Sequence, residues 1–277
     1  MEKSRPNRRR PVKAYKNSGF LASRDARPLR ILAEFLEPAS RFQHHGILDT
    51  IVFFGSARIE PLGDAEAHLA NLRARVGQPN PPTPAALERA EVAIRMSHYY
   101  EDAVELARML TVWSASLKDN QRFVVCSGGG PGIMEAANKG ASLAGGKSIG
   151  LNISIPFEQF PNPYISPELN FEFHYFFMRK FWFAYLGKAL VAFPGGFGTM
   201  DELMEMLTLL QTRKIRKKIT VLLYGTDYWR EILNLPALVH YGMISPEDTA
   251  LFHRADTPAQ AFEILREELM KNYHVEE

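Results

Sequence analysis

Short apolar runs at 50–55, 122–127, 148–153, 171–176, 189–193 and 219–224 constrain this chain more than any other feature. Between and after them lie helical patterns near 97–118, 131–144, 177–187, 199–213, 227–236 and 257–271. Runs of this length, apolar on successive residues, suit strands buried on both faces. Their alternation with helices predicts an α/β fold: a Rossmann-like, doubly wound parallel sheet with helices on both faces. Sheets of this kind bind ligands at the carboxyl ends of their strands, near the point where the strand order reverses.

The run at 189–193 is followed by Pro194-Gly195-Gly196-Phe197-Gly198-Thr199-Met200-Asp201-Glu202, then by Leu203, Met206, Leu207 and Leu210 at helical spacing. A strand that ends in a glycine turn opening a helix leaves bare backbone N–H groups to surround an anion. Glycine matters there because a Cβ blocks close approach to a phosphate. Two readings of the acid stand side by side. Thr199-x-x-Glu202 has the spacing of a capping box, which satisfies helix N–H groups and nothing more. Alternatively Glu202, placed in the first turn, faces whatever the loop holds. Capping explains neither Gly195-Gly196 nor Gly198, and these glycines favour a site.

Two further turns end strands on the same edge. One is Gly55-Ser56-Ala57-Arg58, the other Ser127-Gly128-Gly129-Gly130-Pro131-Gly132, in which Pro131 suits a first helical turn. The second loop does not give G-x-G-x-x-G in register, and the strand after it, 148–153, lacks an acid for a ribose diol. No G-x-x-x-x-G-K-[ST] sequence is present. Dinucleotide and triphosphate readings both weaken, and a single phosphate on a small ligand fits better. Arg179 and Lys180 stand at the start of a helix, where cations oppose the dipole and call for an anion such as a phosphate or Glu202. Cys126, inside an apolar strand, reads as packing, and His174 has no evident partner for a triad or a metal.

The remaining features set bounds. Residues 1–28, with Arg5, Arg8, Arg9, Arg10 and Lys13, read as a flexible basic arm. Residues 29–277 read as one nucleotide-binding domain, entered by a helix over 29–47 and carrying a surface insertion at 59–96 with a Pro-rich stretch at 78–84. A formal net charge of +2 gives no steering toward nucleic acid, and one cysteine excludes an intramolecular disulfide or a multi-cysteine metal site. No apolar run approaches the roughly 20 residues that span a bilayer. The expectation is a soluble cytoplasmic protein without metal or cofactor, bound to no membrane.

The stretch 194–202 resembles the hallmark P-G-G-x-G-T-x-x-E of the Lonely Guy (LOG) family, also labelled "lysine decarboxylase-like", at every fixed position. Arg179-Lys180 resembles the family's R-K pair, and the segments 173–180 and 207–212 look like its longer, bacterial branch. Plant-type members usually carry Glu before the R-K pair, where this chain has Met178. The resemblance implies a nucleoside 5′-monophosphate phosphoribohydrolase, which cleaves AMP or cytokinin riboside monophosphates to free base and ribose 5-phosphate. It implies Arg179 and Glu202 as the catalytic pair, with Lys180, Gly195, Gly196, Gly198 and Thr199 binding substrate and Thr208 lining the cleft. Gly128, Gly129, Gly130 and Ser56 join them from the other two turns. A homodimer or higher homo-oligomer is implied, and no cofactor; pyridoxal phosphate has no evident site. The alternative is a non-catalytic carrier of a nucleotide or of molybdenum cofactor on the same fold.

Overall fold

The computed structural model describes residues 10–118, 122–156 and 160–275. Its seven strands are β1 (Asp49–Phe54), β2 (Phe123–Ser127), β3 (Ser148–Ile153), β4 (Asn170–Phe173), β5 (Gly187–Ala192), β6 (Thr220–Tyr224) and β7 (Phe252–Ala255). They form one sheet in the order β4-β3-β2-β1-β5-β6-β7, and every neighbouring pair is parallel. The chain builds outward from β1 to β4, returns to the other side of β1, and builds outward again. The strand order therefore reverses between β1 and β5, and a crevice opens above their carboxyl ends.

The helices are α1 (Ser18–Ala22), α2 (Arg27–His44), α3 (Leu62–Ala74), α4 (Pro84–Ser116), α5 (Ile133–Leu143), α6 (Phe176–Leu186), α7 (Phe197–Gln211), α8 (Thr226–Ile232), α9 (Leu235–His240) and α10 (Pro258–Tyr273). They cover both sheet faces, and the strand period of two decides which residue meets which layer. Ile51, Phe53, Val125 and Val191 pack with α4, α5 and α10 residues such as Leu106, Ile133 and Leu265. Val52, Phe54, Cys126 and Leu190 pack on the opposite face with Trp182 and Phe183 of α6 and Leu203 and Met206 of α7. In α7, the sequence spacing already marked these last two as inward-facing.

Several boundaries differ from the sequence reading. The strand expected to reach 176 stops at Phe173, because the backbone N–H groups of His174 and Tyr175 donate to the Glu34 carboxylate of α2 at 2.8 and 3.2 Å rather than continuing the sheet. Pro131 does not enter the first turn of α5: the cap is Gly132, whose φ of 71° is left-handed. A Cβ there would lie 2.3 Å from the Ser56 carbonyl oxygen, so the two turns nest only with glycine. The helix expected near 97 begins at Pro84, capped by the Thr83 hydroxyl that accepts from the Ala86 N–H, and runs unbroken to Ser116. Residues 84–96 are thus the first part of α4. Strand β7 has no counterpart in the reading, since His253 and Arg254 at its centre are exposed and leave no apolar run. The expected arm falls partly on residues 1–9, outside the described residues, while Ser18–Ala22 forms α1.

Candidate active site

Above the switch point the turns after β1 and β5 are tied together. The Phe193 N–H donates to the Phe54 carbonyl at 2.8 Å and the Ser56 N–H to the Pro194 carbonyl at 2.9 Å. Beside them Gly196 caps α7, with Phe197, Gly198 and Thr199 as the helix's first three residues. This register removes the capping-box reading. Thr199 is inside the helix, the cap has no side-chain hydrogen bond, and Glu202 falls beyond the first turn. The N-terminal N–H groups of α7 are left for solvent or a ligand.

A cleft of about 290 Å³ lies here, walled by Phe54, Gly55, Ser56 and Arg58 from the first turn, Gly128 and Gly130 from the second, and Gly196, Gly198 and Thr199 from the third. Arg179, Phe176 and Phe183 of α6, with Asp201 and Glu202 of α7, complete the wall together with Met134, Asn152 and Ile153. A Cβ on Gly196 or Gly198 would meet no atom of the chain, so the room beside them is ligand-sized space rather than packing space. At Gly195 the reverse holds: a Cβ would lie 2.1 Å from the Thr199 hydroxyl, so this glycine lets the turn close onto its own helix.

Glu202 is buried, and Arg179 Nη2 lies 3.2 Å from its Oε1. Burial pushes the Glu202 carboxyl up to about 7, against the downward pull of Arg179 and Lys180. The Arg179 guanidinium sits 5.4 Å from the Phe176 ring centre and 5.5 Å from that of Phe183, which fixes its plane. A buried carboxylate held by an oriented cation, facing a cleft that a helix N-terminus also enters, is a charge arrangement for stabilising a cationic transition state near a bound anion.

Part of the expected set lines the cleft, and the rest lies beside or outside that lining. Arg179, Glu202, Ser56, Gly128, Gly130, Gly196, Gly198 and Thr199 meet at the cleft. Lys180 is outside the lining, its ammonium 2.9 Å from both Glu205 and the wall residue Asp201; burial lowers its pKa, but these acids outweigh that and the net shift is upward. Gly129 packs behind the loop, with φ +77°, beside Asn152. The Gly195 carbonyl accepts from the Tyr228 hydroxyl at 2.8 Å. Thr208 is exposed and donates to the Met204 carbonyl at 2.7 Å. Cys126 is buried and its thiol is raised by burial, as packing requires. Asn152, Phe176 and Phe183 in the lining, and Asn162 behind it, carry no sequence motif that marks them for a site. Asn162 secures the second turn by donating to the Gly129 and Gly130 carbonyls at 3.1 Å each. Among the described residues no group of three or more His, Cys, Asp or Glu is placed to hold a metal ion, and no helix is long and apolar enough to cross a membrane.

Residues 134–265 match the family described as "Possible lysine decarboxylase". That stretch is similar to this family and takes in just under half of the chain. It is 30% identical over 173 residues to the rice (Oryza sativa subsp. japonica) protein named "Probable cytokinin riboside 5'-monophosphate phosphoribohydrolase LOGL2", covering 61% of this chain and 66% of that one. It is 27% identical over 168 residues to the rice protein of the same description named LOGL5, covering 59% and 63%. The chain thus spans just under two thirds of each relative. Among solved structures, the Moco carrier protein from Chlamydomonas reinhardtii aligns over 80% of this chain and 98% of its own, at 19% identity and a TM-score of 0.46. Within the family match lie Arg179, Glu202 and the whole glycine turn; Ser56, Arg58 and α4 precede it.

Proposed function

We propose that the protein is a nucleoside 5′-monophosphate phosphoribohydrolase, which hydrolyses the N-glycosidic bond of AMP-like or cytokinin riboside monophosphates. The observation that carries the reading is the buried Glu202 carboxylate, held 3.2 Å from Arg179 on the wall of a cleft entered by the N-terminus of α7. In this reading the phosphate rests on the N–H groups of Gly196, Phe197 and Gly198, where no Cβ intrudes and the helix dipole favours an anion. Anchoring the phosphate fixes the ribose, so that C1′ is presented to Glu202 without further entropic cost at the reacting centre.

Departure of the base leaves positive charge on C1′ and the ring oxygen. A carboxylate beside that carbon stabilises the charge and takes a proton from the attacking water. Arg179 is not a proton donor at neutral pH, since a guanidinium keeps its proton to about pH 12 or above. Its part is to orient Glu202 and to keep enough of it ionised near pH 7 against burial. Phe176, exposed on the cleft wall, offers apolar surface for the base. Exposed apolar side chains on α2 and α6, among them Leu32, Leu36, Phe177 and Tyr185, support assembly as a homodimer.

The test is incubation of the purified protein with AMP, other nucleoside monophosphates and isopentenyladenosine monophosphate, followed by quantification of free base. Base release that needs the 5′-phosphate supports the reading. Binding of these nucleotides with no release from any of them sinks it and leaves a carrier.

A further inference from the structure

A second depression adjoins the cleft. It is a groove of about 740 Å³ between the first turns of α4 and the glycine turn, and its lining includes Arg58, Ile59, Arg89, Met96, Phe197 and Tyr228. Two arginines line it and no carboxylate does. Both are exposed, and neither guanidinium has a hydrogen-bond or ion-pair partner among the described residues. Single exposed arginines on helices are ordinarily solvated. These two come from separate elements and line one groove whose lining holds no carboxylate, and two cations so placed attract an anion.

The groove and the cleft share a wall. Ser56, Arg58 and Gly196 line both, and Gly196 is the cap of α7. An anion on the N-terminus of α7 therefore sits at the junction of the two. With ribose and base on the Glu202 side, whatever is bonded to the phosphate leads into the arginine groove. We propose that this groove takes the distal phosphoryl group of a pyrophosphate-linked nucleotide, with Arg58 and Arg89 as its cations and the group beyond it lying on Ile59, Met96 and Phe197. The inference rests on the nucleotide-cleaving reading and changes its substrate class. It does not need the glycine signature whose absence weakened the dinucleotide reading, because the second phosphate is met by side chains rather than by a loop. The reaction itself is unaltered. Water oxygen bonds to C1′, the C1′–N bond breaks with its electron pair on the base, the base takes the proton, and both phosphates stay on the ribose.

The experiment measures adenine release by the purified full-length protein from AMP, ADP and ADP-ribose. The expected result is a kcat/KM for ADP and ADP-ribose at least equal to that for AMP, and a fall of about tenfold in the ADP-to-AMP ratio in Arg89→Ala, the size of one lost charge-assisted contact. Alanine suits an exposed helix position, and a thermal melt of the variant checks that it folds. A wild-type ratio well below one, or an unchanged ratio in Arg89→Ala, overturns the proposal. If no nucleotide is cleaved, the proposed function fails on its own and calorimetry decides the groove. ADP binding tighter than AMP, with the difference lost in Arg89→Ala, upholds it, and equal affinities overturn it.

Discussion

Arg179 Nη2 and Glu202 Oε1, 3.2 Å apart, join the fourth residue of α6 to the sixth of α7, so the pair is only as well placed as the two helix starts that carry it. Arg179 also pulls down a carboxyl that burial has pushed up to about 7. Replacing Arg179 with Gln removes that pull and keeps a donor of similar length. The Glu202 pKa then rises further. If the ionised acid does the work, the acidic limb of kcat/KM against pH lies near pH 7 in the parent and moves to higher pH in Arg179→Gln, with a lower plateau. A limb that stays in place would show that the pair is not electrostatically coupled during turnover.

Glu202→Gln separates chemistry from stability. Its carboxyl titrates near 7 in the folded chain against an ordinary 4.5, so folding favours the protonated form. That advantage is fully present below about pH 4.5 and is lost as pH rises through 7. Glutamine mimics the protonated acid at every pH. Turnover should fall below detection in Glu202→Gln while AMP affinity stays within a few-fold. The variant's stability relative to the parent should rise between pH 5 and 8, by an amount on the order of 2 kcal/mol. Urea midpoints at the two pH values check this, and a variant that falls behind the parent as pH rises contradicts the assigned shift.

The strands and the acid were legible in the sequence for a common reason: each is marked by local residues. Ser148–Ile153 is an apolar run bounded by turn residues, and the sheet places it as read. Glu202 lies in a glycine signature. What escaped depends on contacts distant in sequence or on the register of one turn. Strand β7 is an edge strand whose outward residues are polar, so it shows no run. Thr199 has the right spacing for a cap, yet Gly196 takes that place with φ −86° and ψ −149°, and three residues of register decide between a cap and a site. Lys180 neighbours Arg179 in sequence, but about 100° of helical turn separates them and Asp201 and Glu205 claim it. The first 13 of the 33 residues of α4 show no helical stripe, because these turns, rich in alanine and charge, bury little beyond Ala90 before Ser97.

Gly198 offers a test in which stability and function move in opposite directions. It is the second residue of α7, and an added Cβ meets no atom of the chain. Alanine at a helical position without a clash stabilises by about 0.5 kcal/mol, by restricting the unfolded chain. The same methyl enters the space beside the α7 N–H groups. Gly198→Ala should therefore melt slightly higher than the parent while its KM for AMP rises about tenfold or more, the loss of one good phosphate contact. Unchanged KM would place the phosphate elsewhere.

The start of α6 depends on a residue 140 positions earlier. Glu34 of α2 accepts the N–H groups of His174 and Tyr175 at 2.8 and 3.2 Å, and its own carbonyl accepts from the Trp182 indole at 3.0 Å. Phe35 beside it packs on Phe181 with ring centres 5.5 Å apart. The carboxylate thus serves α6 as an N-terminal cap supplied from another helix, with the charge the dipole favours. Glu34→Ala leaves two N–H groups without acceptors and should cost about 1–2 kcal/mol. It should also lower kcat more than it raises KM, because Arg179 stands one turn further along the loosened helix and the phosphate site does not. Glu34→Gln keeps one acceptor oxygen and should recover part of both losses. A Glu34→Ala variant that is destabilised yet turns over at the parent rate would show that α6 keeps Arg179 in place without its cap, and that α2 serves stability alone.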